Sequence, residues 1–399
     1  MPGLNTVARP CLALTLGRRR LARLMRVVIV GGGPAGLYTA ILLRSRGLAS
    51  QVTVYERNAP DATFGWGIVF SGRTMANLAQ ADPASHETIR SLAETWDRVV
   101  IQLQGQTVSV GGNDFVGVER LAFLNALQMR AEALGVDIHY RTPATDPVAL
   151  ARGADLLVGA DGVGSVVRAA WSDAFEPNLD ERKNYYAWLG TPARFDGLTM
   201  AFRTVEAGTF IAHAYNYSSD MATFVVECDP ATFARAGLET RSESDAMAYI
   251  AGVFVEELGG APLLGRDYRW IRFIHLTNRR WHTENVALLG DALHTAHFSI
   301  GSGTKLALED AIALCDAIGG SPDVAHALPA WAAARSPAVA AYQEAALTSL
   351  KWLENLGDDL KLDPIPFALK VMTRSGRLDM ERLRARDPAF VASVEAFGS

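Results

Sequence analysis

Arg26-Val27-Val28-Ile29-Val30-Gly31-Gly32-Gly33-Pro34-Ala35-Gly36, continuing through a helix-forming run to Val52-Thr53-Val54-Tyr55-Glu56, reads as strand, glycine turn, helix and second strand. Val27 to Val30 is a short β-branched run that stops at glycines, as a buried parallel strand does. The next segment carries Leu37, Ala40, Ile41, Leu42 and Leu43 as an apolar helix face and closes at Gly47. Gly31 permits the tight turn, Gly33 lets backbone come close to a pyrophosphate, and Gly36 lets helix and strand pack together, with Ala35 between them at the helix start. The helix N-terminus offers unpaired N–H groups and the positive end of its dipole to an anion. Glu56 stands about 20 residues beyond Gly36. There a carboxylate accepts hydrogen bonds from ribose hydroxyls, and the adjacent Arg57 is counted with the cofactor-binding residues. Strand, turn, helix, second strand and acid stand in register, so the stretch reads as a dinucleotide site. The fingerprint alone does not separate FAD from NAD(P).

The 399 residues leave room for two or three domains and a large core. A hydrophobic content of 49% with 20% charged residues is that of a globular protein. At a net charge of −5 nothing points to nucleic acid as the main partner, and no apolar run is long enough to span a bilayer. Cys11, Cys228 and Cys315 are odd in number and far apart, which argues against a disulfide framework or zinc site and fits a reducing cytoplasm. Residues 1–24 hold Arg9, Arg18, Arg19, Arg20 and Arg23 and no acid. A transit peptide or twin-arginine signal would have this charge, but the apolar run that follows is the first strand of the nucleotide fold. Met25 is therefore expected to be the functional start, preceded by a disordered extension.

Further along, Asp61 to Arg73 is rich in glycine and aromatics and reads as a loop that approaches a ligand. Val99 to Gln104 and Thr107 to Val110 alternate around Gly105 as a hairpin. Glu119 to Leu134 is an amphipathic helix with Leu121, Leu124, Leu127 and Met129 among its apolar positions, and Val136 to Tyr140 is the next strand. Asp155-Leu-Leu-Val-Gly159-Ala160-Asp161-Gly162 runs from a strand into an acidic glycine turn and a helix through Arg168. From about 185 to 228 short alternating strands predict an antiparallel sheet, joined by a helix from Ser242 to Leu258 and a strand near Trp270 to Leu276. Val286 to His294, then His297-Phe298-Ser299-Ile300-Gly301-Ser302-Gly303-Thr304-Lys305, again sets a glycine loop between a strand and a helix N-terminus. From 323 onward the chain is alanine-rich and helical.

The GxGxxG at 31–36, the Asp-Gly motif at 155–168 and the Gly-Asp motif from 290, in this order, resemble the single-component FAD aromatic monooxygenases of the para-hydroxybenzoate hydroxylase type. Trp66 to Phe70, Lys183 to Gly190, His213 to Ser218 and His297 to Lys305 resemble the aryl-CoA branch, and the indole-hydroxylating enzyme of violacein biosynthesis is similar in the same places. The resemblance implies an α/β fold with an FAD-binding Rossmann-like domain (25–182 and 279–321), an antiparallel-sheet substrate lobe (183–278) and a C-terminal helical segment (322–399). It implies that Gly31, Gly33 and Gly36 hold the FAD pyrophosphate and Glu56 the adenosine ribose. Arg120 would contact the flavin, Asp161 and Gly162 would serve FAD and nicotinamide, Asp291 would hold ribityl or ribose hydroxyls, and Gly301 and Gly303 would approach the isoalloxazine. Leu293, Phe298 and Lys305 depart from the common family form beside the flavin and match the aryl-CoA branch instead.

The implied reaction uses NADH or NADPH to reduce FAD, O2 to form a C4a-hydroperoxide, and an electron-rich ring to take its distal hydroxyl. The substrate expected is a small aromatic molecule, a CoA thioester such as salicylyl-CoA hydroxylated at position 5. A free aromatic acid or an indole is the alternative, and a flavin-linked reductase, a halogenase or a partner subunit without turnover are the remaining readings. The chain stops at Ser399 without the further domain of bifunctional members, so hydroxylation alone is expected. Period-two alternation sets Ile211, His213, Tyr215 and Tyr217 on one strand face. His213 and Tyr215 are the candidate catalytic residues, to orient the ring or assist phenol deprotonation, if that face looks inward. His294 and His297 sit in a glycine loop, where a flavin-pocket or structural role outweighs metal binding. Arg279 and Arg280, or a helix carrying Arg374, Arg377, Arg382, Arg384 and Arg386, would meet CoA phosphates or form a solvated face. A monomer or homodimer in the cytoplasm completes the expectation.

Overall fold

The computed structural model describes residues 25–301 and 303–397. The extension expected over 1–24, with Cys11, lies outside the described residues. Arg26–Val30 is the hub of a six-stranded sheet, because Val27, Ile29 and Val30 are buried and both edges of the strand are paired in parallel. The order is His282–Thr283, Val286–Leu288, Leu156–Gly159, Arg26–Val30, Gln51–Tyr55, Asp137–His139, with only His282–Thr283 antiparallel. The helix Pro34–Ser45 packs against both Arg120–Ala133 and Gly303–Gly320. Its Leu37, Ile41, Leu42 and Leu43 are fully buried, each side chain stabilising by about 1.5–3 kcal/mol on transfer from water.

A seven-stranded sheet forms the second layer, in the order Ile271–Asn278, Pro177–Thr191, Ala222–Cys228, Gly208–Asn216, Leu198–Val205, Val99–Leu103, Gln106–Val110. Only Leu198–Val205 with Val99–Leu103 is parallel. The hairpin at 99–110 therefore hydrogen-bonds across the boundary drawn at residue 182. One face of this sheet, with Phe210, Ala212, Ala214, Phe224 and Val226, forms a core with the helices between 230 and 258. The other, with Met200, Phe202 and Ile211, packs on Leu353, Phe367 and Val371 of the C-terminal helices.

Three local readings need correction. Gly67–Ser71 is a strand rather than loop, paired with Phe115–Glu119 in a three-stranded sheet that also holds Ala93–Trp96. Met129 points outward, 61% exposed, while Phe123, Leu124 and Leu127 carry the buried stripe of their helix. The helix expected over Ser242 to Leu258 is two, Glu243–Val253 and Val255–Leu258. It breaks at Phe254, whose ring is buried in the lobe core.

Candidate functional site

The first glycine turn is built to bring backbone to a ligand. Gly31 has φ +107, and a Cβ there would stand 2.3 Å from the Ala160 carbonyl oxygen; one on Gly36 would stand 2.0 Å from the Gly31 carbonyl oxygen. Both positions are closed by protein. Gly33 is the opposite case, since a Cβ there would meet no protein atom within 4 Å, and Gly33 caps the N-terminus of Pro34–Ser45 without a side-chain hydrogen bond. Open space before a helix N-terminus fits the pyrophosphate of FAD.

Glu56 accepts hydrogen bonds from the Gly32 N–H and the Asn58 N–H, both 2.7 Å, which fixes its carboxylate on the turn. A cleft of about 120 Å³ opens beside it, lined by Gly33, Glu56, Phe64, Arg120, Leu124 and Gln128 among others. Arg57 is exposed and outside this lining. Ala35 faces the third motif, where a Cβ on Gly290 would be 3.0 Å from the Ala35 methyl.

Arg120 opens its helix at the end of the three-stranded sheet, its N–H donating to the Trp66 carbonyl at 2.8 Å. Burial lowers the pKa of its guanidinium, and the charge of Asp291 opposes that; burial raises the Asp291 carboxyl, and Arg120 opposes that in turn. Asp291 lies in the short turn Gly290–Ala292 and is exposed. Asp161 turns inward: its carboxylate accepts from Ser165 Oγ at 2.6 Å and from the Val166 N–H at 2.7 Å, capping Val166–Ala170. Gly162, Gly301 and Gly303 leave open space where a Cβ would stand. Arg168 ties the second motif to the third, donating to the Ala292 carbonyl at 2.8 Å and to the Val163 carbonyl.

On the sheet above, His213 and Ile211 share the face turned toward the C-terminal helices and the loop at 297–300. The His213 ring stands edge-on to Phe298 at 5.4 Å, and Phe298 lies 4.8 Å from Tyr186, so three rings wall one region. The Tyr186 hydroxyl is pushed up to about 12 by burial, then by the charges of Asp291 and Glu227. The Tyr215 hydroxyl donates to the Gly67 carbonyl at 2.8 Å, its ring stacks on Trp96, and burial pushes it up to about 12.

A family model described as FAD binding domain matches residues 25–146 and 126–321. Salicyloyl-CoA 5-hydroxylase of Streptomyces sp is 38% identical over 384 residues, covering 94% of this chain and 74% of that protein. The chain belongs to the FAD-dependent aromatic monooxygenases. This monooxygenase is also 36% identical over 334 residues to the 3-hydroxy-4-methyl-anthranilyl-[aryl-carrier protein] 5-monooxygenase of Streptosporangium sibiricum, covering 84% of this chain and 90% of that one. In fold it is similar to the tetrameric form of 2-methyl-3-hydroxypyridine-5-carboxylic acid oxygenase, with TM-score 0.70 at 21% identity over 91% of this chain and 96% of that one. The expected α/β fold, FAD as cofactor and hydroxylation of an aromatic small molecule are thus established.

The monooxygenase also carries residues that sequence reasoning passed over. Glu227 is fully buried beside His213 and His297. Its signal was a lone acid in the apolar strand Ala222–Cys228. Arg374, read with a basic helix, lies just after Pro364–Thr373 and is half-buried, donating to the Ser299 carbonyl and, at 3.0 Å, to Ser349 Oγ. Arg377 covers the Tyr342 ring at 3.8 Å, and Arg279 and Arg280 pair with Glu176. Cys228 and Cys315 are free, buried thiols. No described helix is long and apolar enough to cross a membrane.

Proposed function

We propose that this monooxygenase hydroxylates an aromatic ring carried as a CoA thioester, salicylyl-CoA at position 5 or a related 2-hydroxy- or 2-aminobenzoyl thioester, at the expense of NADH or NADPH and O2. The observation that carries the reading is the 38% identity to salicyloyl-CoA 5-hydroxylase across 94% of the chain. Bound FAD supplies the oxygen-activating chemistry. Gly31, Gly33 and Gly36 hold its pyrophosphate at the helix N-terminus, and Glu56 with Arg57 attends the adenosine side. Arg120, Asp161, Gly162, Asp291, Gly301 and Gly303 line the path toward the ring system. Tyr186, His213 and Phe298 wall the aromatic substrate and exclude water from it. His213 orients the ring and receives its proton, while Tyr215 holds the Gly67 turn through the bond already made to its carbonyl.

The same reading keeps one discontinuous FAD-binding domain (25–182 and 279–321), a substrate lobe (183–278) to whose sheet the 99–110 hairpin is added, and a C-terminal helical segment (322–399), and has the enzyme working in the cytoplasm as a monomer or homodimer. The free thiols Cys228 and Cys315 support that compartment. The test is NADH and NADPH oxidation by the FAD-loaded protein with salicylyl-CoA, 2-aminobenzoyl-CoA, the free acids and an indole, with product masses. Fast oxidation and a product one oxygen heavier only from a thioester is expected. Product from a free acid or indole alone would overturn the thioester assignment.

A further inference from the structure

Glu227 has no exposed surface, and among the described residues neither carboxylate oxygen finds a hydrogen-bond donor. Oε1 stands 3.9 Å from His213 Nε2, and Oε2 stands 3.8 Å from His297 Nε2. An uncompensated carboxylate out of water is costly, so a position that keeps one has a use for its charge. The groups facing it come from four elements. His213 lies on Gly208–Asn216, Tyr186 is registered opposite Glu227 on Pro177–Thr191, His297 precedes Phe298–Ile300, and Arg374 follows Pro364–Thr373. Arg182 and Cys228 act on the cluster from further off.

Two of these are fixed in their charge. His297 is held well below the ordinary imidazole value by burial, then by His213, Arg374 and Arg182, and its Nδ1 accepts from the Ser299 N–H at 3.4 Å. It is the neutral tautomer with Nε2–H toward Glu227. Arg374 donates to the Ser299 and Val371 carbonyls and to Ser349 Oγ, and feels Glu227 only through space. His213 is the one of these groups that both approaches a Glu227 oxygen and borders the aromatic wall.

We propose that Glu227 is a positioning residue that acts through His213 to ionise the ring hydroxyl of the bound substrate. The ring O–H bond breaks and an N–H bond forms at His213 Nδ1, the nitrogen remote from Glu227. The Glu227 carboxylate, 3.9 Å from Nε2, stabilises the imidazolium through its charge. After hydroxylation the proton returns from Nδ1 to the ring oxygen of the product, so His213 and Glu227 end as they began. The idea rests on the 2-hydroxybenzoyl reading above.

The test is the absorbance of bound salicylyl-CoA against pH in the FAD-loaded wild type, Glu227→Gln and Glu227→Asp, with kcat and KM measured over the same range. Glu227→Gln is expected to move the phenol-to-phenolate midpoint up by about one unit, so that kcat near neutrality falls about tenfold, recovers at high pH and leaves KM little changed. Glu227→Asp keeps the carboxylate and should restore part of the shift. If the substrate binds and the midpoint is the same in all three proteins, Glu227 has no part in ionising the ring, even where kcat falls uniformly. If salicylyl-CoA does not bind the wild type, the thioester reading fails and takes this proposal with it. Melting temperatures of the three proteins separate a folding defect from either result.

Discussion

Replacing Gly33 by alanine separates binding from folding. Gly33 has φ −80 and ψ −178, a conformation alanine adopts without strain, and its Cβ would touch no protein atom. Alanine is a poorer N-cap than glycine by about 0.5–1 kcal/mol. The stiffer unfolded chain returns about 0.4–1 kcal/mol, so the net change is near zero. The FAD-free variant should therefore melt within about 3 °C of wild type. FAD meets a different situation on the proposed assignment, in which the added methyl would stand where the pyrophosphate comes against backbone N–H groups. Losing one charge-assisted hydrogen bond there costs about 1.5–3 kcal/mol, which is about 10- to 100-fold in Kd. Flavin fluorescence titration and thermal melts of FAD-free protein supply both numbers. Gly36→Ala is the control, since its Cβ at 2.0 Å from the Gly31 carbonyl oxygen should lower melting temperature and affinity together. A Gly33→Ala protein that melts normally and binds FAD as wild type does would refute the pyrophosphate assignment.

The remaining expectations concern other groups. Asp310 is fully buried and accepts from His294 Nε2 at 2.7 Å and Arg335 Nε at 2.7 Å; Asp310→Asn should cost about 3–5 kcal/mol in urea unfolding, and a loss under about 1 kcal/mol would deny it a structural role. Burial raises the Asp310 carboxyl, but His294 and Arg335 more than offset this and hold it below its ordinary value. Its contribution is therefore complete above the unfolded carboxylate pKa and lost as pH falls through the depressed folded one, so acid unfolding of the wild type should be steeper than that of Asp310→Asn. Asp82 caps Pro83–Ser91 through Ser85 and binds Arg130 by both oxygens at 2.8 and 3.1 Å; Asp82→Ala should lose about 1.5–3 kcal/mol of stability with FAD affinity unchanged. Tyr215→Phe should lose about 1 kcal/mol from the missing Gly67 bond and keep the wild-type pH profile of kcat; a displaced profile would make Tyr215 a proton donor instead.

Much of this architecture is readable in one dimension because it rests on local chemistry. The strand Arg26–Val30, its glycine turn and the acid at Glu56 follow from β-branching, backbone freedom and spacing, all of which act over a few residues. The Ala222–Cys228 strand likewise has the expected bounds. What escaped depends on partners distant in the chain. The hairpin at 99–110 has an ordinary hairpin pattern, and only the docking of Leu198–Val205 says which sheet it joins. Alternation grouped His213 with Tyr215 but not which layer they face; the C-terminal helices on Ile211 decide that. Arg374 looks like its solvated neighbours until the Ser299 carbonyl is brought against it.

The central sheet has one more implication, for how the chain reaches its native state. Arg26 N–H bonds the Asp155 carboxylate across 129 residues, and Val286–Leu288 must arrive before Leu156–Gly159 is paired on both edges. Such parallel pairings pay their loop-closure entropy before they yield contacts, which slows folding. During synthesis the first two-thirds of the chain holds an open, apolar strand edge with no partner yet made, the arrangement most prone to pairing with another chain. Slow translation between residues 160 and 286 should therefore raise aggregation of nascent chains, and FAD, whose proposed site draws on both sides of that gap, can be captured in full only after the late strand has docked.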